Sequence, residues 1–87
     1  MKKTLTITDE AGMHARPASK LVQAASQYDA DITISYKGKS VDLKSVMGVM
    51  SLGVPQKGEI TIETDGDKAG DILKKLEDKM RELALID

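Results

Sequence analysis

Three short stretches of this chain alternate apolar and polar residues with a strict period of two: Thr4-Leu5-Thr6-Ile7-Thr8, Ile32-Thr33-Ile34-Ser35-Tyr36 and Glu59-Ile60-Thr61-Ile62-Glu63-Thr64. Side chains on a strand point to opposite faces in turn, so each stretch predicts a strand with one buried face and one wet face. Strands of a parallel sheet covered on both sides are apolar throughout, and these are not. Lys37-Gly38 follows the second stretch at once and predicts a two-residue hairpin into a short strand marked by Val41 and Leu43.

Between the strands the period changes. Ala18, Leu21, Val22, Ala25 and Tyr28 follow helical spacing, and Pro17 suits a first helical turn. Ser45 is a candidate N-cap for a short apolar helix from Val46 to Leu52. Asp65-Gly66-Asp67 ends the last strand and predicts the cap of a final helix with the stripe Ala69, Ile72, Leu73, Leu76, Met80 and Leu83. The order is therefore β-α-β-β-α-β-α, an α+β chain. It predicts a four-stranded antiparallel sheet with three helices on one face and the other face open to water. About twenty apolar side chains share the expected core, enough for one domain over residues 1–87 and not for two.

Composition narrows the function. The 13 basic and 14 acidic residues leave a net charge of −1, against the basic excess of a general nucleic-acid or anionic-membrane binder. Tyr28 and Tyr36 are the only aromatics, too few for a base-stacking platform. With no cysteine there is no disulfide, thiolate nucleophile or thiolate metal site. The first residues lack the apolar core of a secretory signal and no run approaches the ~20 apolar residues of a membrane span, so a cytoplasmic protein is expected.

His14 is the single histidine, and Gly12-Met13-His14-Ala15-Arg16-Pro17 joins the first strand to the first helix. Its imidazole is therefore expected just before a helix start, where unpaired backbone N–H groups and the positive end of the dipole point outward. Arg16 adds a permanent cation with forked donors. Neutral imidazole is a nucleophile near pH 7, and the surroundings suit a phosphoryl group. A loop histidine without a role is the bland alternative; a metal site is poorer, for no second His or any Cys is available.

The second constellation runs from Asp42 to Gly53. A serine opening a helix is usually only a cap, but a one- or two-turn surface helix cannot bury all its sides. With Val49 and Leu52 facing the core, Met47 and Met50 are expected to stay partly exposed, as an adaptable docking patch. Asp65-Gly66-Asp67 lacks the ligand spacing of a calcium loop. Lys37, Lys39 and Lys44 read as solubility residues of the hairpin.

Gly12-Met13-His14-Ala15-Arg16-Pro17-Ala18 resembles the active-site motif of the HPr family, the histidine-containing phosphocarriers of the bacterial sugar phosphotransferase system. Asp42-Leu43-Lys44-Ser45-Val46-Met47-Gly48 resembles that family's regulatory serine motif in the form typical of low-GC Gram-positive bacteria. The resemblance implies an open-faced β-sandwich and a single HPr-like domain. It implies a carrier without turnover of its own, needing no cofactor, in which His14 takes a phosphoryl group from phosphorylated enzyme I on the pros ring nitrogen. His14 then passes it to IIA domains of sugar permeases, with Arg16 stabilising the phosphate. Ser45 would be phosphorylated by an HPr kinase/phosphorylase, giving a corepressor for the catabolite control repressor. Ala15, Pro17, Lys20, Val46, Met47 and Met50 would form the shared partner-binding surface of a monomer that binds no nucleic acid directly and inserts in no membrane. Met13, Ser19 and Lys20 depart from common family residues; Lys20 stands where many Gram-positive relatives are apolar. A purely regulatory interaction module working through Ser45 alone would not need His14.

Overall fold

The computed structural model describes residues 1–87. Its elements are β1 (Lys2–Thr6), α1 (Ala15–Ala25), β2 (Ile32–Tyr36), β3 (Lys39–Asp42), α2 (Val46–Ser51), β4 (Glu59–Thr64) and α3 (Ala69–Glu82). The sheet order is β1-β4-β2-β3 with every neighbouring pair antiparallel. β1 and β2 thus run the same way with β4 between them, and the β1-α1-β2 crossover leaves the slot that β4 fills. All three helices cover one face, as the patterning requires. On the open face hydroxyls meet across the strands, with Thr4 Oγ1 3.0 Å from Thr61 Oγ1.

A cluster of 20 buried apolar residues fills the space between sheet and helices. Ile32 and Ile34 come from β2, Ile60 and Ile62 from β4, Leu21 and Ala25 from α1, Val49 from α2, and Leu76 and Met80 from α3. Thr64 is the one buried polar residue, and its hydroxyl donates to the Asp31 carbonyl at 2.7 Å. Lys37 and Gly38 have φ of 49° and 82°, the doubly left-handed turn that matches the twist of a tight hairpin, and Tyr36 pairs with Lys39.

The structure corrects several expectations. β1 lies two residues earlier than the alternation indicates. Polar Lys2 and Lys3 join the ladder through their backbones, opposite Glu63 and Ile62, while Ile7 continues the pairing by donating to the Gly58 carbonyl. α1 ends at Ala25, so Tyr28 packs on the core from a turn rather than from the helix. Leu43 is fully buried just beyond β3. The aspartates before α3 do not cap it: Lys68 is the N-cap, and its ammonium has no lone pair to accept an N–H, while Asp65 accepts from the Met1 ammonium at 3.1 Å. Lys44 is no mere solubility residue, for its ammonium donates to the Tyr28 carbonyl at 2.7 Å and ties the end of α1 to the turn before α2.

Lys3 of β1 reaches Glu77 of α3 at 2.5 Å, and Arg81 binds the other carboxylate oxygen at 3.0 Å. The Glu77 side chain is only 12% exposed, and the Lys3 and then the Arg81 hydrogen bond hold its carboxyl below the usual range. The edge strand is pinned to the helix layer by this pair.

Past α3, the Ala84 N–H donates to Arg81 and the Leu85 N–H to Met80, with Ala84 at φ 60°. This paired closure buries Leu85 fully and brings its carbonyl to the loop after β1, where the N–H groups of Thr8 and Asp9 donate to it at 2.8 and 3.4 Å.

Candidate functional site

His14 is the N-cap of α1, with φ −90° and ψ 175°, and its ring makes no capping bond. The loop that delivers it depends on Gly12, at φ 67°. A Cβ there would stand 2.4 Å from the Val54 carbonyl oxygen and 2.9 Å from Pro55 Cα. Only glycine allows this close approach. Met13 then plugs into the core and its N–H donates to the Val54 carbonyl, so the backbone on the N-terminal side of His14 is fixed. Pro17 is buried in the first turn of α1, where it sets φ and lacks an N–H that the turn could not satisfy. The N–H groups of Ala15 and Arg16 remain without partners in the chain. They and the helix dipole present positive potential beside a side chain that is 43% exposed.

The ring itself is held by Asp9, a residue the motifs did not single out. His14 Nε2 lies 3.2 Å from Asp9 Oδ2, while Asp9 Oδ1 accepts the Ala11 N–H at 3.0 Å. The Ala11 hydrogen bond first, and then the His14 contact, hold the Asp9 carboxyl below the usual carboxylate range, so it is ionised at neutral pH. An ionised carboxylate only accepts, so Nε2 is the donor, and in the neutral ring that leaves the lone pair on Nδ1. Arg16 is exposed and engaged in no ion pair.

The second constellation behaves differently. Asp42 forms a turn in which its Oδ1 accepts the Lys44 N–H at 2.9 Å and its carbonyl accepts the Ser45 N–H. Ser45 is the N-cap of α2, and its hydroxyl accepts the Gly48 N–H at 3.0 Å. Val49 is buried and Leu52 nearly so, whereas Met47 is 85% and Met50 38% exposed. Val46 is half-buried; Ala15 and Lys20 are exposed. α2 packs on α1, and the chain leaving α2 reaches Val54, which bonds Met13. The two motifs are therefore joined through the C-terminal end of α2.

No group of three or more His, Asp or Glu side chains is placed to hold a metal ion. No helix is long and apolar enough to cross a membrane. A hollow of about 540 Å³ between the end of α1 and the start of α3 is lined by Tyr28, Asp29, Asp65 and Asp71 among others, and includes none of the site residues.

Over residues 1–82 the chain matches the family described as the PTS HPr component phosphorylation site. The histidine-containing phosphocarrier protein of a Mycoplasma superposes with a TM-score of 0.95 at 40% identity, covering 100% of this chain and 99% of that one. The phosphocarrier protein HPr of Bacillus anthracis gives a TM-score of 0.83 at 39% identity over 91% and 94% of the two chains. Crh of Bacillus subtilis, described as a catabolite-repression protein with a swapped, intertwined dimer, gives 0.73 at 37% identity over 84% of each. A match from Met1 to Glu82, on a backbone that follows a known phosphocarrier along its whole length, shows that this chain belongs to the HPr family of phosphocarriers of the phosphotransferase system.

Proposed function

We propose that His14 accepts a phosphoryl group on Nδ1 from phosphorylated enzyme I and passes it to the IIA domains of sugar permeases. The observation that carries this reading is the ring at the head of α1. Its Nε2 is engaged by Asp9, its Nδ1 is free, and the N–H groups of Ala15 and Arg16 stand unpaired beside it. The Nδ1 lone pair attacks phosphorus, and the bond from phosphorus to the donor breaks with its electron pair. The incoming oxygens meet the helix N–H groups, which the backbone already holds in place, and the Arg16 guanidinium, which has no partner in the chain to give up. Onward transfer reverses these steps, so the protein carries and does not turn over.

Partners dock on the surface that Ala15, Lys20, Val46, Met47 and Met50 provide, with Pro17 beneath it setting the helix start. The chain works in the cytoplasm as a monomer, so that one face stays free for successive partners. An HPr kinase/phosphorylase modifies Ser45, and that form serves a catabolite control repressor. The exposed methionines beside the serine support this regulatory part, because an added dianion there alters whatever covers them.

The test is incubation with enzyme I and phosphoenolpyruvate, followed by intact mass. One added phosphate is expected on the wild type and none on His14→Ala, with unchanged circular dichroism, since removing a half-exposed loop side chain opens no cavity. Uptake retained in His14→Ala would place the acceptor elsewhere.

A further inference from the structure

We infer, granting that His14 carries the phosphoryl group, that Asp9 is a positioning residue which keeps one proton on Nε2 through the whole transfer cycle. The carboxylate is fixed at both oxygens, Oδ1 by the Ala11 N–H and Oδ2 by the ring. Its backbone is fixed as well. The Asp9 carbonyl accepts the Gly12 N–H at 2.8 Å, and the N–H groups of Thr8 and Asp9 donate to the carbonyl of fully buried Leu85. A short, doubly anchored acceptor thus faces Nε2, at the far side of the ring from Nδ1.

The chemistry needs a proton at that place in both directions. To receive, the ring must have its lone pair on Nδ1, and it does when Nε2 bears the proton. The Nδ1–P bond then forms, the donor–P bond breaks, and the phosphorylated ring carries a positive charge that faces the carboxylate. To give, an acceptor's lone pair attacks phosphorus and the Nδ1–P bond breaks with its electrons returning to Nδ1. The ring departs as neutral imidazole with Nε2–H intact. Without that proton it would depart as imidazolate, a far poorer leaving group. Asp9 lets the phosphoryl group move while no proton does.

The charged side chains of the loop and helix that meet at His14 are Asp9, Glu10, Arg16 and, one turn further along α1, Lys20. The segment after α2 that packs on Gly12 contributes Val54 and Pro55, and the C-terminal segment behind Leu85 ends in Asp87. Of these groups only Asp9 bonds the ring.

Asp9→Asn is the informative variant, because an amide oxygen still accepts the Ala11 N–H and preserves the turn while the charge is gone. Two readouts need no enzyme I and a third uses it. Nitrogen-15 NMR of the unphosphorylated ring is expected to show a slowly exchanging Nε2–H in the wild type and a fast-exchanging one in Asp9→Asn. His14 is then phosphorylated with phosphoramidate, which transfers phosphorus with loss of ammonia and needs no enzyme I. Hydrolysis of the phosphohistidine is followed from pH 6 to 9. The wild type should keep its fast rate to more alkaline pH, and at the alkaline end Asp9→Asn should hydrolyse about tenfold more slowly. With enzyme I at saturation, the variant should lose maximum rate rather than half-saturation.

A proton found on Nδ1, or an Asp9→Asn profile that overlays the wild type, overturns the assignment and leaves Asp9 a loop former. If phosphoramidate labels neither protein, the ring-proton readout decides alone. A wild type that takes no phosphate from enzyme I would sink the carrier reading instead, and leaves both Asp9 readouts able to speak.

Discussion

His14 and Ser45 each stand as the extended residue immediately before a helix, at φ −90°, ψ 175° and φ −116°, ψ 112°. At Ser45 the side chain turns back and accepts the Gly48 N–H, as a serine in that position normally does. At His14 it turns away to Asp9, and the first N–H groups of α1 are left for something outside the chain. The start of α2 is thus satisfied within the chain, and the start of α1 is left open beside a reactive ring. The serine hydroxyl that would carry a phosphate is already engaged as the cap acceptor, whereas Nδ1 of the imidazole is engaged by nothing in the chain. That contrast fits a group that cycles at His14 and one that is set and reset at Ser45.

The comparison breaks most severely at Gly12. In Gly12→Ala the new Cβ meets the Val54 carbonyl oxygen and the backbone is left at φ 67°. A loss of about 2–4 kcal/mol is expected, from the strained backbone plus the clash. Because the same contact seats Met13, phosphoryl uptake at His14 should fall even at temperatures where the variant is folded. The α2 cap should be intact in that folded fraction, with the Gly48 amide still protected from hydrogen exchange. Denaturant melts beside enzyme I assays check this.

Arg16 sharpens the His14 side without touching the fold. It is exposed and unpaired, so Arg16→Ala should leave the melting temperature within error. Transfer should slow by on the order of 10²-fold, the cost of one donor aimed at developing charge. Arg16→Lys should recover only part, for a point charge lacks the planar fork. Equal losses in rate and in enzyme I binding would make Arg16 a docking residue instead.

Ser45→Ala tests the other side. Loss of the cap is expected to cost about 1 kcal/mol, a shift of about 4–8 °C for a domain of this size. The rate at His14 should be unchanged, and the ATP-dependent kinase should no longer act. Ser45→Asp keeps an acceptor and should recover the stability. On the proposed docking surface, Ser45 carrying a real phosphate, about −1.5 to −2 in charge, should slow uptake at His14, since it would lie beside the exposed Met47 and Met50. Ser45→Asp should show a weaker form of that block. A Ser45-phosphorylated protein that matches the unmodified one in rate would reduce Ser45 to a cap.

What could be read from the sequence was local in it. Alternation placed three strands, Lys37-Gly38 placed the hairpin, and the spacing of Val49 and Leu52 foretold that Met47 and Met50 face water. His14 and Ser45 were legible because each sits within a few residues of the helix it heads. What stayed hidden is held by partners far apart in the chain or by residues of the wrong type for their place. Leu85 binds Thr8 across 77 positions, Lys3 pairs with Glu77, and Lys44 reaches Tyr28, contacts that no periodicity encodes. Ala84 occupies a left-handed position that glycine usually marks, so the turn that buries Leu85 left no signal. Asp9 stands only five positions before His14, but an Asp in a loop reads first as a turn former. Its second oxygen points at the ring only because the loop is clamped from behind.

The smallest effect in this set separates the two helix starts by pH. The Asp9 carboxyl is depressed below its ordinary value of 3.8 by the Ala11 N–H and by His14. Nothing in the Ser45 cap titrates, since its bond joins a hydroxyl to a backbone N–H. In the interval between the folded and the ordinary pKa of Asp9, the unfolded chain binds the extra proton, so stability rises with pH there. The contribution of Asp9 is complete above about pH 4 and disappears as pH falls through the lower, folded value. Glu77, the other depressed carboxyl, is common to all the proteins compared and cancels in the differences. Urea melts of wild type, Asp9→Asn and Ser45→Ala between pH 2 and 6 should therefore diverge in form. The cost of Ser45→Ala should stay flat, and the cost of Asp9→Asn should shrink toward zero at the acid end. The slope is the observable here rather than the size. A flat Asp9→Asn difference would mean that the carboxylate is not held by its partners in the folded chain, and His14 would lose the feature that sets it apart from Ser45.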